Sequence, residues 1–136
     1  MQAFDLHNNC KGKRGLANAT ISTNTTTTGV IVDTLGYQAA EWFVQSGTIT
    51  DGVYVLSIQH GDDASLSDAT TVSSEFMLGA GTNFILTDDS TVKRIGAWNL
   101  SRYARLVITS TGVTTGGSFN AIAVLAVPAH APVAAD

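Results

Sequence analysis

Histidines, a cysteine and paired carboxylates are the side chains of this sequence best suited to chemistry, and their spacing decides what they can do. His7, His60 and His130 are widely separated, and none has a second His or Cys at the strand or helix spacing that a metal site requires. Cys10 sits in a polar stretch with only Lys11 beside it, so it reads as a free thiol rather than an activated nucleophile. Asp62-Asp63, with Asp68 nearby, and Asp88-Asp89 are the acidic pairs. Calcium could gather such groups, but the alternating spacing of an EF-hand loop is absent, and capping of turn amides is the expected role. Glu41 and Glu75 are the only glutamates, and no aromatic-rich groove surrounds them in sequence, as a glycosidase pair would need. There is no Gly-x-Ser-x-Gly elbow, phosphate loop or dinucleotide fingerprint. The expectation is a protein that is not an enzyme, with no cofactor and no metal.

The elements that would position these residues are strands. The chain has 136 residues, 44% apolar and 13% charged, with 13 glycines and 2 prolines. That is one domain's worth of chain with enough apolar bulk for a core, and it is unlike a disordered segment. The abundance of Thr and Gly suits extended backbone and turns. A net charge of −4 argues against nucleic acid as a partner, because binding it requires a basic face. No apolar run approaches the ~20 residues that span a bilayer, and the first ten residues lack the plan of a secretory signal. A single cysteine leaves burial alone to hold the domain together.

Period-two alternation marks strands over residues 28–35, 38–45, 53–60, 84–86, 92–98, 102–110 and 119–127, with Thr25-Thr26-Thr27-Thr28 as a strand entry. Asp51-Gly52 between the second and third suggests a hairpin. Ser67 or Asp68 caps a short helical turn running toward Met77. The expected fold is all-β, an antiparallel β-sandwich or jelly roll of about eight short strands with one helical turn. The domain spans residues 20–127. Residues 1–19 read as an extended N-terminal arm, and residues 128–136, with Pro128 and Pro132, as an extended C-terminal tail.

Trp42, Phe43, Tyr54, Trp98 and Tyr103 are the large aromatics of the middle, expected in the core or at an interface rather than as sugar platforms. The strand 38–45 is apolar on both faces, which marks Trp42 and Phe43 as contact candidates. The cluster Lys11, Lys13 and Arg14 suits an acidic protein surface, and Arg105 lies along a strand with its head free for a partner carboxylate.

Several stretches together resemble a family of small head structural proteins of tailed bacteriophages, of decoration or cement type. They are Asp5-Leu6-His7-Asn8-Asn9, the Thr-rich entry to residues 29–37, residues 41–52, Asp88-Asp89 leading to residues 92–96, Arg102-Tyr103-Ala104-Arg105 through Thr109, and residues 121–125 ending in 128–133. The resemblance implies a virion component on the capsid surface, made and folded in the host cytoplasm. Its implied partners are the major capsid protein and further copies of itself, with a homotrimer ahead of a dimer. Neither nucleic acid nor membrane is involved. The contact residues expected on this reading are Leu6, His7, Lys11, Lys13, Arg14, Trp42, Phe43, Arg105 and His130. Residues 102–108 are also similar to a core strand of discoidin-like, galactose-binding jelly rolls. That similarity gives a carbohydrate-binding adhesion module as the alternative. A head-completion or tail component is a further one.

Overall fold

A computed structural model describes residues 5–133. Eleven strands run through the described residues: β1 (Cys10–Ile21), β2 (Thr26–Thr28), β3 (Val32–Asp33), β4 (Tyr37–Ile49), β5 (Val53–Gly61), β6 (Thr70–Thr71), β7 (Met77–Leu78), β8 (Asn83–Phe84), β9 (Val92–Trp98), β10 (Tyr103–Thr111) and β11 (Gly117–Pro128). They form two sheets. Sheet A has the order β1-β11-β4-β9-β7; sheet B has β2-β10-β5-β6, with β3 added to β10 and β8 to β5. Every pairing is antiparallel. The chain passes from β1 in sheet A to β2 and β3 in sheet B, back to β4, over again to β5, and later from β9 to β10 to β11. This winding between two packed sheets is the connectivity of a jelly roll.

The core follows from the alternation. Trp42, Val44, Ile95, Ala123 and Leu125 face inward from sheet A, and Tyr54, Leu56, Ile58, Leu106 and Ile108 from sheet B, all essentially without solvent contact. Tyr54, Phe84 and Phe119 form an aromatic cluster, with ring centroids 4.6 Å apart for Tyr54–Phe119 and 5.4 Å for Phe84–Phe119. Both spacings suit tilted or edge-on rings, in which the positive edge of one meets the negative face of the other.

Four expectations are corrected. Residues 10–19 are no arm: they belong to β1, the edge strand of sheet A, paired along its length with β11 and burying Leu16 and Ile21. Register shifts between Arg14 and Leu16 and between Leu16 and Ala19 interrupt the alternation there, as bulges do on edge strands. The expected strand over 28–35 is two short ones. Val30 leaves sheet B and donates its N–H to the Gly15 carbonyl of β1 at 2.8 Å, closing that edge of the sandwich. β4 and β5 are not a hairpin, because Asp51-Gly52 turns the chain from one sheet into the other. The one expected helical turn is instead two 3-10 turns, at Ser74–Phe76 after β6 and at Leu86–Asp88, the second cutting the expected strand over 84–86 back to β8.

The C-terminal tail is tied down as well. Pro128 still lies opposite Tyr37, Ala129 donates its N–H to the Gly36 carbonyl at 2.8 Å, and Val133 donates to Asn8 at 2.9 Å. The parts of the two expected arms at residues 1–4 and 134–136 lie outside the described residues.

Candidate functional site

The outward faces of the two sheets differ in chemistry. On sheet B, the outward positions of β2, β5 and β10 carry Thr26, Thr28, Ser57, Gln59, Arg105, Thr109 and Thr111, with Val53, Val55, Tyr103 and the buried Val107 among them. Arg105 donates from both Nε and Nη2 to Gln59 Oε1, at 3.0 and 2.8 Å. This is the polar surface that a one-sided sheet presents to water.

Sheet A is apolar on both sides. Its register places Ile122, Phe43 and Arg94 side by side across β11, β4 and β9, with Arg14 of β1 beyond Ile122. The next row holds Val124, Glu41, Gly96 and Leu78, and the row after that Ala126, Ala39 and Trp98. On the other side of the Phe43 row, Gln45 lies opposite Val92. Phe43 is 38% exposed, Trp98 49%, Ile122 57%, and Leu78 and Val92 59% each. Ile122 lies beside Phe43 with Val92 diagonal to it, Leu78 ends the Glu41–Gly96 row and Trp98 lies across that row, so the exposed apolar residues gather on one face around Glu41 and Arg94 rather than being scattered over the surface.

Glu41 sits in the middle of this patch. Its side chain lies over Gly96, where a Cβ would collide with the carboxylate. Burial pushes its carboxyl above the ordinary value, and the Arg94 guanidinium offsets part of that rise. Phe43, Val92 and Arg94 also line an open hollow of about 570 Å³ against the loop at Gly81–Asn83. Farther along the sheet, Leu6, Cys10, Val124, Ala126 and Pro128 line a second hollow of about 420 Å³.

The expected contact residues are therefore divided. Phe43 and Arg14 lie on the apolar face. Leu6 borders its end, where the turn at residues 5–9 meets residues 129–133. His7 and His130 are exposed in these two segments. Lys11 and Lys13 lie on β1 opposite Leu125 and Ala123. Arg105 is on the opposite sheet. Trp42 is corrected outright: strand alternation that turns Phe43 outward turns its neighbour inward, and Trp42 has no exposed surface. Sequence reasoning missed Ile122, Val124, Arg94 and Leu78 as members of the face. Only the sheet order, which sets β11, β4, β9 and β7 side by side, shows that they belong together.

The acidic groups serve the backbone. Asp63 accepts the N–H groups of Ser65 and Ser67 at 3.0 and 3.2 Å, and Asp68 those of Asp62 and Asp63 at 2.9 and 3.2 Å. Asp88 accepts from Ile85 N–H at 2.8 Å and pairs with Lys93 at 2.9 Å, while Asp89 accepts from Ile49 N–H at 2.5 Å. Among the described residues, no group of three or more His, Cys, Asp or Glu side chains is placed to hold a metal ion. No described helix is long and apolar enough to cross a membrane. No family model, no curated protein and no solved structure matches this chain.

Proposed function

We propose that this is a structural protein of a tailed-bacteriophage head, a decoration or cement protein that binds the outer shell as a homo-oligomer and stabilises it by adhesion. The observation that carries this reading is the apolar outer face of sheet A, set against a polar outer face on sheet B. A jelly roll that exposes one greasy sheet face is suited to lie against another protein surface. The jelly roll is also an architecture that capsid proteins use, which supports the reading as an analogy of fold only. The joined terminal segments, with Leu6, His7 and His130, give a second surface at the end of the sandwich. That surface is suited to shell subunits while the sheet face is occupied.

The test is direct. Purified protein is mixed with expanded, undecorated heads of the parent phage. It is expected to co-sediment with them and to raise their resistance to heat and low salt. Failure to associate overturns the reading.

One observation favours the carbohydrate alternative: Trp98 is half exposed beside Gln38 and Asn99 in an open hollow of about 480 Å³, a flat ring next to amide groups. Trp42, the other tryptophan, is buried and offers no platform. Hits on a glycan array that vanish in Trp98→Ala would replace the structural reading with this one.

A further inference from the structure

We infer that the outer face of sheet A is the interface between two copies of this chain, packed face to face about a two-fold axis. The inference deepens the proposed function by naming the occupant of the face, and it rests on the reading of that face as adhesive. It commits to the dimer that the family resemblance placed behind a trimer.

Size is the first support. Four strands, β1, β11, β4 and β9, each ~4.8 Å wide and paired over about seven residues of ~3.3 Å each, give a flat footprint of roughly 450 Å², and the two residues of β7 add only a margin. Protruding side chains enlarge that toward the ~800 Å² per partner of a stable interface. Ile122, Phe43, Val92, Trp98 and Leu78 supply apolar side chains of the kind such interfaces have, with Trp98 beside the small residue Ala39.

Charge pattern is the second. The face carries Glu41 between two arginines, Arg94 one strand away on β9 and Arg14 two strands away on β1. A two-fold interface must be complementary to itself, because each contact occurs twice. A carboxylate flanked by guanidinium groups meets that condition: rotation brings Glu41 of one copy to an arginine of the other, and the reverse. Glu41 has no ion pair within the described residues shorter than salt-bridge distance, and its carboxyl is already partly desolvated.

The remainder of the molecule is the third. The chain carries −4 overall, yet this face carries more arginine than glutamate, so the rest of the surface is more acidic still. Face-to-face packing turns those acidic surfaces away from one another. Pairing through the loop ends, where Asp62, Asp63, Asp88 and Asp89 lie, would bring them together.

Sedimentation velocity of the full chain over roughly 1–100 µM is the experiment, with affinities read as dissociation constants. The wild type is expected to sediment at twice the monomer mass, and Trp98 fluorescence to shift to the blue as the pair forms. Ile122→Asp should weaken association by at least about 30-fold, the cost of losing a central contact. Val55→Asp, on the outer face of sheet B, should leave it unchanged. Arg94→Glu should dissociate the pair, and Glu41→Arg combined with Arg94→Glu should recover it. Far-UV circular dichroism and the urea midpoint, measured on each dilute variant, show whether the fold is kept. A wild type that stays monomeric, or an Ile122→Asp variant that is folded and still paired, overturns the inference. Binding to heads is scored separately. A monomer that decorates heads removes the pair and keeps the proposed function, whereas a pair that ignores heads does the opposite.

Discussion

Asp51 and Gly116 lock two crossovers together: the Oδ1 of Asp51, between β4 and β5, accepts the N–H of Gly116, between β10 and β11, at 2.9 Å. The same carboxylate accepts the N–H groups of Thr114 and Thr115, at 3.2 and 3.0 Å, and the Thr114 hydroxyl. In return Thr50 donates its N–H to the Gly116 carbonyl at 2.9 Å. Both crossovers carry the chain from one sheet to the other, so one side chain holds two arches of the jelly roll in register.

The bond to the Thr114 hydroxyl, with those from the three amides, holds the Asp51 carboxyl at about 2, below the ordinary 3.8. A carboxyl depressed on folding contributes stability above its unfolded value and loses it as pH falls toward the folded one. The wild type should therefore weaken as pH drops from about 4 toward 2, with Asp63, held at about 2 by the Ser65 and Ser67 bonds, adding to the slope. Asp51→Asn replaces one acceptor oxygen by an NH₂ that faces donors. It should lower the urea midpoint at neutral pH, and its curve should converge on that of the wild type near pH 2. Parallel curves at all pH values would show that the carboxylate does not hold the arches.

Trp42 and Phe43 are adjacent and face opposite ways. Trp42→Ala should cost about 3–5 kcal/mol, because it empties the centre of a packed core. Phe43→Ala, measured on dilute protein, should cost less than about 1 kcal/mol, as a surface change does. Trp42 Nε1 is buried with no acceptor among the described residues, and leaving such a donor unpaired costs about 1–3 kcal/mol. Trp42→Phe removes that donor along with ring volume, so it should destabilise far less than Trp42→Ala. Urea denaturation of the three variants checks all of this.

The same pair shows what was legible beforehand. Alternation over residues 38–45, 92–98 and 102–110 was readable because each strand sets apolar side chains at period two, and the structure has strands there. Which of two apolar faces is the core was not readable from β4 alone, since both carry bulk; the sheet order decides it. β1 was hidden for a different reason. Gly12 and Gly15 contribute no side chain to the pattern, and two bulges shift its phase, so a paired strand resembled a loose arm. Asp51-Gly52 announced a turn correctly, but a turn within a sheet and an arch between sheets share the same local chemistry. The patch on sheet A was the least legible feature. It joins residues from four strands that are far apart in sequence.

Gly29 marks the place where the sheets close on each other. It donates its N–H to Leu106 of β10 at 2.7 Å, and a Cβ on it would lie 2.2 Å from the Gly15 carbonyl oxygen of β1. That oxygen is backbone and already accepts from Val30, so it cannot step aside. Gly29→Ala should push β1 away from the sandwich and cost about 1–3 kcal/mol, the usual range for overpacking. Gly12, also near this edge, has nothing within 4 Å of such an atom. Gly12→Ala should be neutral or slightly stabilising, because alanine has less backbone freedom to lose on folding. Equal melting temperatures for the two variants would remove the close approach as the cause.

Deleting residues 1–19 separates an arm from a strand. An arm would come away with the melting transition intact. The structure predicts the opposite, because the cut removes all but the last two residues of β1 and leaves the β11 edge unpaired. Leu16 goes with it, and the surface beneath Leu16 meets water. Each such aliphatic side chain stabilises by about 1.5–3 kcal/mol when buried, and Trp42, which lies against Gly15, would be uncovered too. Against a total stability of about 5–15 kcal/mol for a domain of this size, the loss is enough to abolish cooperative folding. The truncated chain should show no sharp thermal transition and a red-shifted tryptophan emission. Retention of the wild-type melting temperature would mean that β1 adds nothing to the core and that these residues act as a detachable arm after all.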